Sequence, residues 1–407
     1  MKKVLQISFM ASYENCKEAG GNTDIFYIKR LATDDTIDFR LLAFEDFDDE
    51  YHKVIESHKA NHITSDVCKR DRDLKSKIIR RIKDIPSRYF LTDKNGNFTS
   101  SYYREKIQQY LNKYKQEGYN PDVIIVEWTQ VVLFIDEIKQ IFPKAKCIAI
   151  EVDVSYLGVD RKRRRETSRL KRAILGNRYK KLKEAELLAL QKFDLVYTQN
   201  QKDLELLKTE NYMFPNLSWI APWYNQSLIN NQRNVDWNNP FIIFYGAMGR
   251  PENYLSVKWF IENVMPLINK TIKFLIIGSG SETVKNYASE QIIVAGFVDD
   301  VSDLFSRCLC MVAPLVLGAG IKVKVLEAMT AGIPVLTNDI GIEGIIAEDR
   351  KDYFYCKEPQ DYVNVINNIV RGKVNLNMIS LNARKNILDN YDFYKSADTL
   401  LETIKSL

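Results

Sequence analysis

Two successive series of short apolar runs, alternating with helical patterns, organise the whole chain. The first series lies at residues 4–10, 38–44, 122–128, 146–152 and 195–200. The second lies at residues 241–248, 273–280, 291–297, 308–315, 333–339 and 351–356. These runs show little polar alternation, which is typical of parallel strands covered by helices on both faces. The pattern predicts an α/β fold made of two doubly wound, Rossmann-like domains.

The boundary between the two domains is predicted at the Asn-rich stretch of residues 223–240, which is poor in core residues. We therefore assign residues 1–222 to an N-terminal domain and residues 223–386 to a C-terminal one. A length of 407 residues and a hydrophobic content of 45% suffice for two cores and exclude a disordered chain. Ligands of open α/β sheets bind beyond the carboxyl ends of the strands, so we expect the domains to face each other across a cleft.

The net charge of +5 hides one strongly basic segment. Residues 161–183 contain twelve basic residues and one acid, Glu166, so this segment carries +11 and the rest of the chain −6. Leu175, Tyr179, Leu182 and Ala189 form an apolar stripe, which predicts a helix from about Ser168 onward. A basic helix is typical of binding to a membrane surface or to nucleic acid, or it is a solvated face. We expect contact with an anionic membrane surface and, without a recognisable binding module, no nucleic acid.

The cysteines and the apolar runs bear on the compartment. Six cysteines are scattered without the spacing of a zinc site, so we expect free thiols, no bound metal and a reducing environment. The apolar run near the N-terminus spans only about seven residues and predicts a buried strand instead of a signal peptide. No run approaches the roughly 20 residues of a membrane-spanning helix. We expect a cytoplasmic protein, at most peripheral at the inner face of the cytoplasmic membrane.

The sequence GAGIKVKVLEAMTAGIPVLTNDIGIEG, at residues 318–344, carries the strongest chemical signal. A glycine turn between a buried strand and a helix exposes backbone N–H groups, which bind anions. Lys322 and Lys324 add positive charge suited to a diphosphate, and Glu327 can accept hydrogen bonds from a ribose diol. A nucleotide diphosphate therefore accounts for both charges. The alternative is an ordinary tight turn followed by solvated lysines.

This run resembles the donor-binding signature of GT-B glycosyltransferases of the family-four (group 1) kind. Residues 246–268 and 295–315 are similar to further donor-domain segments, while Gly20-Gly21 and VEWTQ at 126–130 resemble landmarks of the acceptor domain. The resemblance implies a C-terminal helix, 387–407, that crosses back onto the first domain. It implies a donor site formed by Gly246, Arg250, Phe297, Val298, Gly318, Ala319, Gly320, Ile321, Lys322, Lys324 and Glu327. It implies an acceptor site formed by Gly20, Gly21, Glu127, Glu151 and Asp153.

Two positions depart from the family pattern. Ala319 stands where the family commonly has a Glu that holds the transferred sugar, and Val152 stands where many relatives have a His. Backbone amides around Ala319 and Gly320 can replace the missing acid. The three histidines, at positions 52, 58 and 62, share one polar stretch and are expected at the surface.

The resemblance also implies a retaining reaction that needs neither a metal nor another cofactor. In such a reaction the leaving diphosphate accepts the proton of the acceptor hydroxyl, so catalysis depends on stabilising charge and on positioning. Lys322 and Lys324 are expected to hold the leaving phosphates, with Arg250 third. Asp153 or Glu151 would orient the acceptor hydroxyl, although a solvated loop role suits these two acids equally well.

The sequence thus predicts a glycosyltransferase that moves a sugar from a nucleotide diphosphate donor to a glycan or a lipid-linked acceptor. Bacterial-type polysaccharide or glycoconjugate synthesis is the expected setting. A degenerate GT-B module that binds a nucleotide sugar or a partner without transfer is one alternative. A nucleotide-sugar epimerase is another, and so is a metal-dependent GT-A transferase that uses Glu151 and Asp153 as its acidic pair.

Overall fold

A computed structural model describes residues 1–14, 16, 19–45, 48–69, 101–318 and 320–407 of the protein, with only the backbone at positions 19, 48, 49 and 101. The chain divides into two units. The first comprises Met1–Trp223 and Phe393–Leu407, and the second comprises Tyr224–Asp392. No helix in the described part of the chain is long and apolar enough to cross a membrane.

The first unit is built on a parallel sheet. In order along the chain, its described strands are β1 (Lys2–Ser8), β2 (Ile37–Glu45), β3 (Ser65–Lys69), β4 (Val123–Glu127), β5 (Lys146–Glu151), β6 (Leu195–Thr198) and β7 (Leu217–Trp219). Their order across the sheet is β3-β2-β1-β4-β5-β6-β7, and every neighbouring pair is parallel. The strand order therefore reverses direction between β1 and β4.

Helices cover both faces of this sheet, because successive apolar residues of one strand enter opposite cores. On β4, Ile124 and Val126 pack in one buried cluster, while Val123 and Ile125 pack in the other. The helices are α1 (Ala19–Ala32), α2 (Asp48–Ala60), α3 (Ser101–Gln116), α4 (Thr129–Val132), α5 (Ile135–Ile141), α6 (Ser155–Arg165), α7 (Arg169–Leu190), α8 (Gln201–Thr209) and, from the end of the chain, α14 (Phe393–Ser406).

The second unit repeats the doubly wound plan. Its described strands are β8 (Phe241–Tyr245), β9 (Lys273–Ile277), β10 (Ile292–Gly296), β11 (Met311–Ala313), β12 (Val335–Thr337) and β13 (Phe354–Tyr355). They lie in the order β10-β9-β8-β11-β12-β13, all parallel, so that this sheet reverses direction between β8 and β11. Its α-helices are α9 (Pro251–Asn263), α10 (Ser302–Arg307), α11 (Val323–Thr330), α12 (Pro359–Val370) and α13 (Leu376–Asn390), and short 3₁₀ helices span Gln226–Asn230, Met265–Leu267 and Ser281–Tyr287.

The last helix begins later than expected. Residues 387–392, which we grouped with the C-terminal helix, belong to the second unit. The reason is Tyr391, which is buried there, donates its hydroxyl to the carbonyl oxygen of Gly344 at 2.9 Å and accepts the N–H of Ile346 at 2.8 Å. The chain returns to the first unit with α14, whose Leu400 and Ile404 are part of that unit's core.

Two further expectations need correction. Trp223 lies in the first unit, because its N–H donates to Thr23 Oγ1 at 3.1 Å and its ring packs near Phe393. His58 is not a surface residue, unlike His52 and His62: it is 2% exposed, with Nε2 2.8 Å from the carbonyl oxygen of Ser12. Burial lowers the pKa of His58, so it acts as a neutral core residue.

Candidate functional site

Glycine turns follow β8 and β9 at the carboxyl edge of the second sheet. A Cβ placed on Gly278 would lie 2.0 Å from the carbonyl oxygen of Gly246, so the two turns touch through their backbones. Gly246 and Gly278 have φ angles of 152° and 142°, which side chains disfavour. The turn after β8 leads into Pro251, the first residue of α9. Because these positions are glycines, no side chain covers the backbone of the two turns beside the strand reversal.

A third glycine turn lies on the other side of the reversal, after β11. Gly318 and Gly320 both have positive φ, at 133° and 66°, and Lys322 is the N-cap residue of α11. Ala319, which we assigned to the donor site, lies outside the described residues. Since β8 and β11 are neighbours, the turn at 246–250 and the N-terminus of α11 converge at the point where doubly wound folds bind ligands.

Lys324 connects these two turns. Its ammonium donates to Oδ1 of Asn253 and lies 4.8 Å from the centre of the Phe244 ring. A Cβ on Gly246 would lie 3.0 Å from this ammonium, so only glycine leaves it room. Burial lowers the pKa of Lys324 to about 7, and the positive charges of Arg250 and Lys322 contribute. A phosphate here would remove the charge repulsion and restore the proton.

Lys322 folds back over the glycine turn. It is 8% exposed, its ammonium donates to the carbonyl oxygen of Gly320, and it lies 3.8 Å from Oε2 of Glu343. A Cβ on Gly318 would meet the Lys322 side chain at 2.9 Å. The turn and the lysine therefore fit each other. Glu343, an unpredicted carboxylate, balances this cation.

Glu327 projects from the second turn of α11 and accepts the N–H of Asn225 at 3.4 Å. Burial raises the pKa of Glu327 to about 7, and the proximity of Glu327 in turn helps to raise the pKa of Tyr245 to about 12. A carboxyl group with a pKa near neutrality can ionise when a hydroxyl donor binds. The site thus contains Lys324, a cation suited to a diphosphate, and Glu327, a hydrogen-bond acceptor suited to a diol. The two residues are three positions apart on α11.

The other predicted donor residues lie around this centre. The guanidinium of Arg250 is half-exposed, with Nε 2.5 Å from Oε1 of Glu252. Its positive charge contributes to the lowered pKa of Lys324. Phe297 and Val298 directly follow β10, the edge strand, and Phe297 is 72% exposed. Ile321 is half-buried beside Lys322. All of them lie at the carboxyl edge of the sheet, although Phe297 and Val298 are two strands away from Gly246.

In the first unit, the structure moves the two predicted glycines. Gly20 and Gly21 lie in the first turn of α1. A Cβ on Gly20 would lie 3.3 Å from the ring of Trp128, and one on Gly21 would lie 2.5 Å from Sγ of Cys16. These glycines therefore allow close packing of α1 against the residues around them, including those that follow β4.

Glu127, expected to contact an acceptor, is 2% exposed. Nε2 of Gln6 donates both to Oε2 of Glu127 and to Oδ1 of Asp24, at 3.0 Å in each case. Asp24 also accepts the hydroxyl of Ser12 at 2.6 Å. Burial raises the pKa of Asp24 and, together with the charge of Asp24, raises that of Glu127 well above its usual range. The pair therefore holds the reversal between β1 and β4 together and is shielded from solvent.

Glu151 and Asp153 differ in access. Glu151 is fully buried, accepts the hydroxyl of Thr129 at 2.7 Å, and has its pKa raised to about 8 by burial, with Asp203 and Asp153 adding to the effect. It is therefore a neutral interior acid at pH 7, which does not fit a direct contact with an acceptor. Asp153 follows β5 and is only half-buried. Of these two acids, Asp153 alone is reached by solvent.

The predicted basic helix is confirmed. Ser168 caps α7 by accepting the N–H of Lys171, Leu182 and Ala189 are buried, and Leu175 and Tyr179 are half-buried. Most of the basic residues lie outside that stripe. The cysteines are free, and no group of three or more His, Cys, Asp or Glu side chains in the described ranges could hold a metal ion.

Comparison with known proteins identifies the second unit. Residues 239–371 match the family Glycosyl transferases group 1. Over 173 residues the chain is 25% identical to an uncharacterised 44.6 kDa protein in the cps region of Klebsiella pneumoniae, covering 39% of this chain and 45% of that protein. Over 155 residues it is 24% identical to the Escherichia coli UDP-Gal:α-D-GlcNAc-diphosphoundecaprenol α-1,3-galactosyltransferase, covering 36% and 39%. The chain thus aligns with less than half the length of these curated relatives.

Solved structures resemble the whole chain. Anabaena HepE in complex with UDP superimposes with a TM-score of 0.66 at 12% identity, covering 100% of both chains. Sucrose-phosphate synthase from Thermosynechococcus elongatus gives a TM-score of 0.70 at 13% identity, covering 100% of this chain and 99% of that one. The fold is that of GT-B glycosyltransferases, and residues 239–371 match the group 1 glycosyltransferase family.

Proposed function

We propose that this GT-B chain, with its group 1 glycosyltransferase domain, transfers a sugar from a nucleotide diphosphate donor to a glycan or lipid-linked acceptor, with retention and without a metal. One observation carries the proposal. At the strand reversal of the second unit, Lys322 is the N-cap of α11 beside the glycine turns, and Lys324 and Glu327 follow on that helix. This arrangement suits a diphosphate at the N-terminus of α11 and a ribose beside Glu327.

The reaction follows from the groups at this site. The bond between the anomeric carbon and the diphosphate oxygen breaks, and the acceptor oxygen bonds to the same carbon on the same face. The acceptor proton passes to the leaving phosphate oxygen, so no strongly basic side chain is required. Lys322 and Lys324, with Arg250, stabilise the growing charge on the leaving group. Because Lys324 has a pKa near 7, binding of the diphosphate itself would charge it fully.

The acceptor is assigned to the first unit. Asp153 is the accessible acid that would orient the acceptor hydroxyl, while Glu151 supports it from the interior. A relative whose name specifies a GlcNAc-diphosphoundecaprenol substrate favours a lipid-linked acceptor and a role in bacterial-type polysaccharide or glycoconjugate synthesis. Such an acceptor would be met at the cytoplasmic face of the membrane, through the basic segment 161–183.

A GT-B module that binds a donor without transfer is the second candidate, favoured by Ala319 and Val152. Val152, at the position of the family histidine, is 8% exposed and has no titratable side chain. A nucleotide-sugar epimerase would use the donor alone. The GT-A reading is wrong, because the chain has the GT-B fold.

Binding and turnover separate these candidates. Thermal-shift measurements against UDP, GDP, ADP and dTDP identify the base, since a ligand at about 100 times its Kd stabilises the folded state by about 2.7 kcal/mol. The matching nucleotide sugars are then assayed for hydrolysis, epimerisation and transfer, with and without EDTA. We expect Lys324→Ala to reduce turnover at least about a hundredfold, and Lys258→Ala, at a half-buried position of α9 that pairs with Glu262, to leave it unchanged. Full turnover by the Lys324→Ala variant would refute the phosphate assignment, and donor binding with no turnover would establish the module.

A further inference from the structure

We propose that the hairpin of α6 and α7 docks on an anionic phospholipid bilayer in two ways at once. Phosphate headgroups occupy the groove between the two helices, and Leu170 and Ile174 insert among the lipid chains. This inference rests on the membrane contact of the proposed function and specifies it further. It does not depend on sugar transfer.

The groove lies between α6 and α7 and has a volume of about 540 Å³. Four of its lining residues are basic, and none is acidic: Arg163 comes from α6, whereas Arg169, Arg172 and Lys180 come from α7. The α7 residues recur at helical spacing and so form one stripe along the helix. Gly176 lies in that stripe, and a Cβ there would already be 3.5 Å from Cδ of Arg163. The groove is therefore a continuous cationic surface.

Two of these cations are held in place and two are uncommitted. Nη2 of Arg163 lies 2.6 Å from Oδ1 of Asp160, and Arg172 donates twice to the carbonyl oxygen of Glu166, at 2.9 and 2.7 Å. Within the described ranges, the side chains of Arg169 and Lys180 form no hydrogen bond or ion pair. Fixed guanidinium groups next to uncommitted charges suit the oxygens of a phosphate.

Two apolar side chains lie beside this cationic stripe. Leu170 is 73% exposed and Ile174 is 53% exposed, and they are four residues apart, so they lie one above the other on α7. Both lie in the N-terminal half of α7, whereas the buried residues of this helix begin at Leu182. A merely solvated face would account for the basic residues but would not call for this apolar pair.

A bilayer is the one partner that offers both chemistries in this arrangement, with a layer of phosphates above a layer of acyl chains. Glu166, the single acid of segment 161–183, accepts the N–H of Ser168 at 2.9 Å and so is engaged in the connection between the helices. Each basic residue near an anionic leaflet strengthens membrane binding several-fold, and salt weakens this electrostatic contribution. Insertion of Leu170 and Ile174 would resist salt.

Salt dependence therefore tests the two contributions separately. The full chain is mixed with vesicles of phosphatidylcholine containing about 30% phosphatidylglycerol, and the bound fraction is measured by co-sedimentation at about 0.1 M and 0.5 M NaCl. UDP binding is measured on the same samples, so that loss of membrane binding is distinguished from loss of the donor site.

Paired variants complete the design. We expect Leu170→Ser/Ile174→Ser to keep binding at low salt and to lose at least about tenfold in affinity at high salt. Arg169→Ala/Lys180→Ala should lose about tenfold or more at low salt. Met378→Ser/Leu381→Ser, which alters two exposed apolar residues of α13, and Lys285→Ala/Lys373→Ala, which removes two exposed cations of the second unit, should bind as the wild type does.

Three outcomes would overturn the inference. Wild-type protein that does not bind anionic vesicles at low salt, while it binds UDP, refutes the docking surface and leaves the proposed donor site intact. Unchanged high-salt binding of Leu170→Ser/Ile174→Ser refutes the insertion. Binding to an oligonucleotide that Arg169→Ala/Lys180→Ala abolishes, without vesicle binding, assigns the surface to nucleic acid instead.

Discussion

Replacing Lys324 by Met tests the electrostatics of the donor site most directly. The pKa of this lysine falls from 10.5 to about 7 because its ammonium is desolvated beside Arg250 and Lys322. This difference in pKa corresponds to a free energy of about 5 kcal/mol between the charged and the neutral lysine, and half of that free energy would already be a large effect for one residue. Since the unfolded chain keeps the proton up to pH 10.5, Lys324 by itself makes the free energy of unfolding rise with pH between 7 and 10.5. Lys324→Met should flatten this rise and stabilise the free protein at pH 7.

Binding of the diphosphate should reverse the pKa change. At pH 8 a lysine with a pKa near 7 is only about one-tenth protonated, so UDP that forms an ion pair with it should take up about 0.9 proton. Calorimetry in buffers of different ionisation enthalpy measures this number. Lys324→Met should weaken UDP binding at least about tenfold and abolish the uptake, whereas Lys258→Met, at a half-buried position of α9, should change neither. Uptake below about 0.2 proton by a wild type that binds UDP normally would refute the reasoning.

Three other substitutions test separate parts of the structure. Gly246→Ala should lower the free energy of unfolding by about 1 to 3 kcal/mol in urea titrations, because the φ angle of Gly246 is 152° and a Cβ would lie 3.0 Å from Lys324 and from Asn253. Gly249→Ala is the control: the space around Gly249 is open, so the loss should be less than about 0.5 kcal/mol. Glu127→Gln should leave stability at pH 7 within about 1 kcal/mol, because burial raises the pKa of Glu127 and favours its neutral form, whereas Glu127→Ala should cost about 2 to 3 kcal/mol; a large loss with Gln would show that the native group is charged. Glu327, whose folded-state pKa is raised, should contribute a fall in stability between pH 4.5 and 7, and Glu327→Gln should make the slope in urea titrations less steep by that contribution.

The fold could be predicted where the apolar signal is strong. The runs at 122–128 and 146–152 correspond to β4 and β5, the central strands with continuous burial. Two strands gave no such signal. β3 has the sequence SDVCK with one fully buried residue, and β7 is three half-buried residues long. Both lie at the ends of the sheet, where one neighbouring strand and partial burial suffice, so tertiary packing and not local pattern defines them.

The candidate site divides in the same way. The cations and glycines of the turn at 318–324 could be identified because their chemistry is local in sequence. Asn253 and Glu343, the partners of Lys324 and Lys322, come from other parts of the fold, and no spacing in the sequence predicts these contacts. The burial of Glu127 also had no sequence signal, since it depends on Gln6 and Asp24, two residues more than one hundred positions away.

The two ionisable residues of α11 determine how the donor site responds to pH. Burial moves the pKa of Lys324 downward and that of Glu327 upward, and both reach about 7. A donor that draws Lys324 into its charged form takes up protons, and a donor diol that draws Glu327 into its charged form releases them. At pH 8 uptake by Lys324 dominates, at pH 6 release from Glu327 dominates, and near pH 7 the two cancel at about half a proton each. The measured proton exchange on UDP binding should therefore change sign near pH 7 in the wild type. It should be only release in Lys324→Met and only uptake in Glu327→Gln, and an exchange of constant sign from pH 6 to 8 would show that the two groups do not share one ligand.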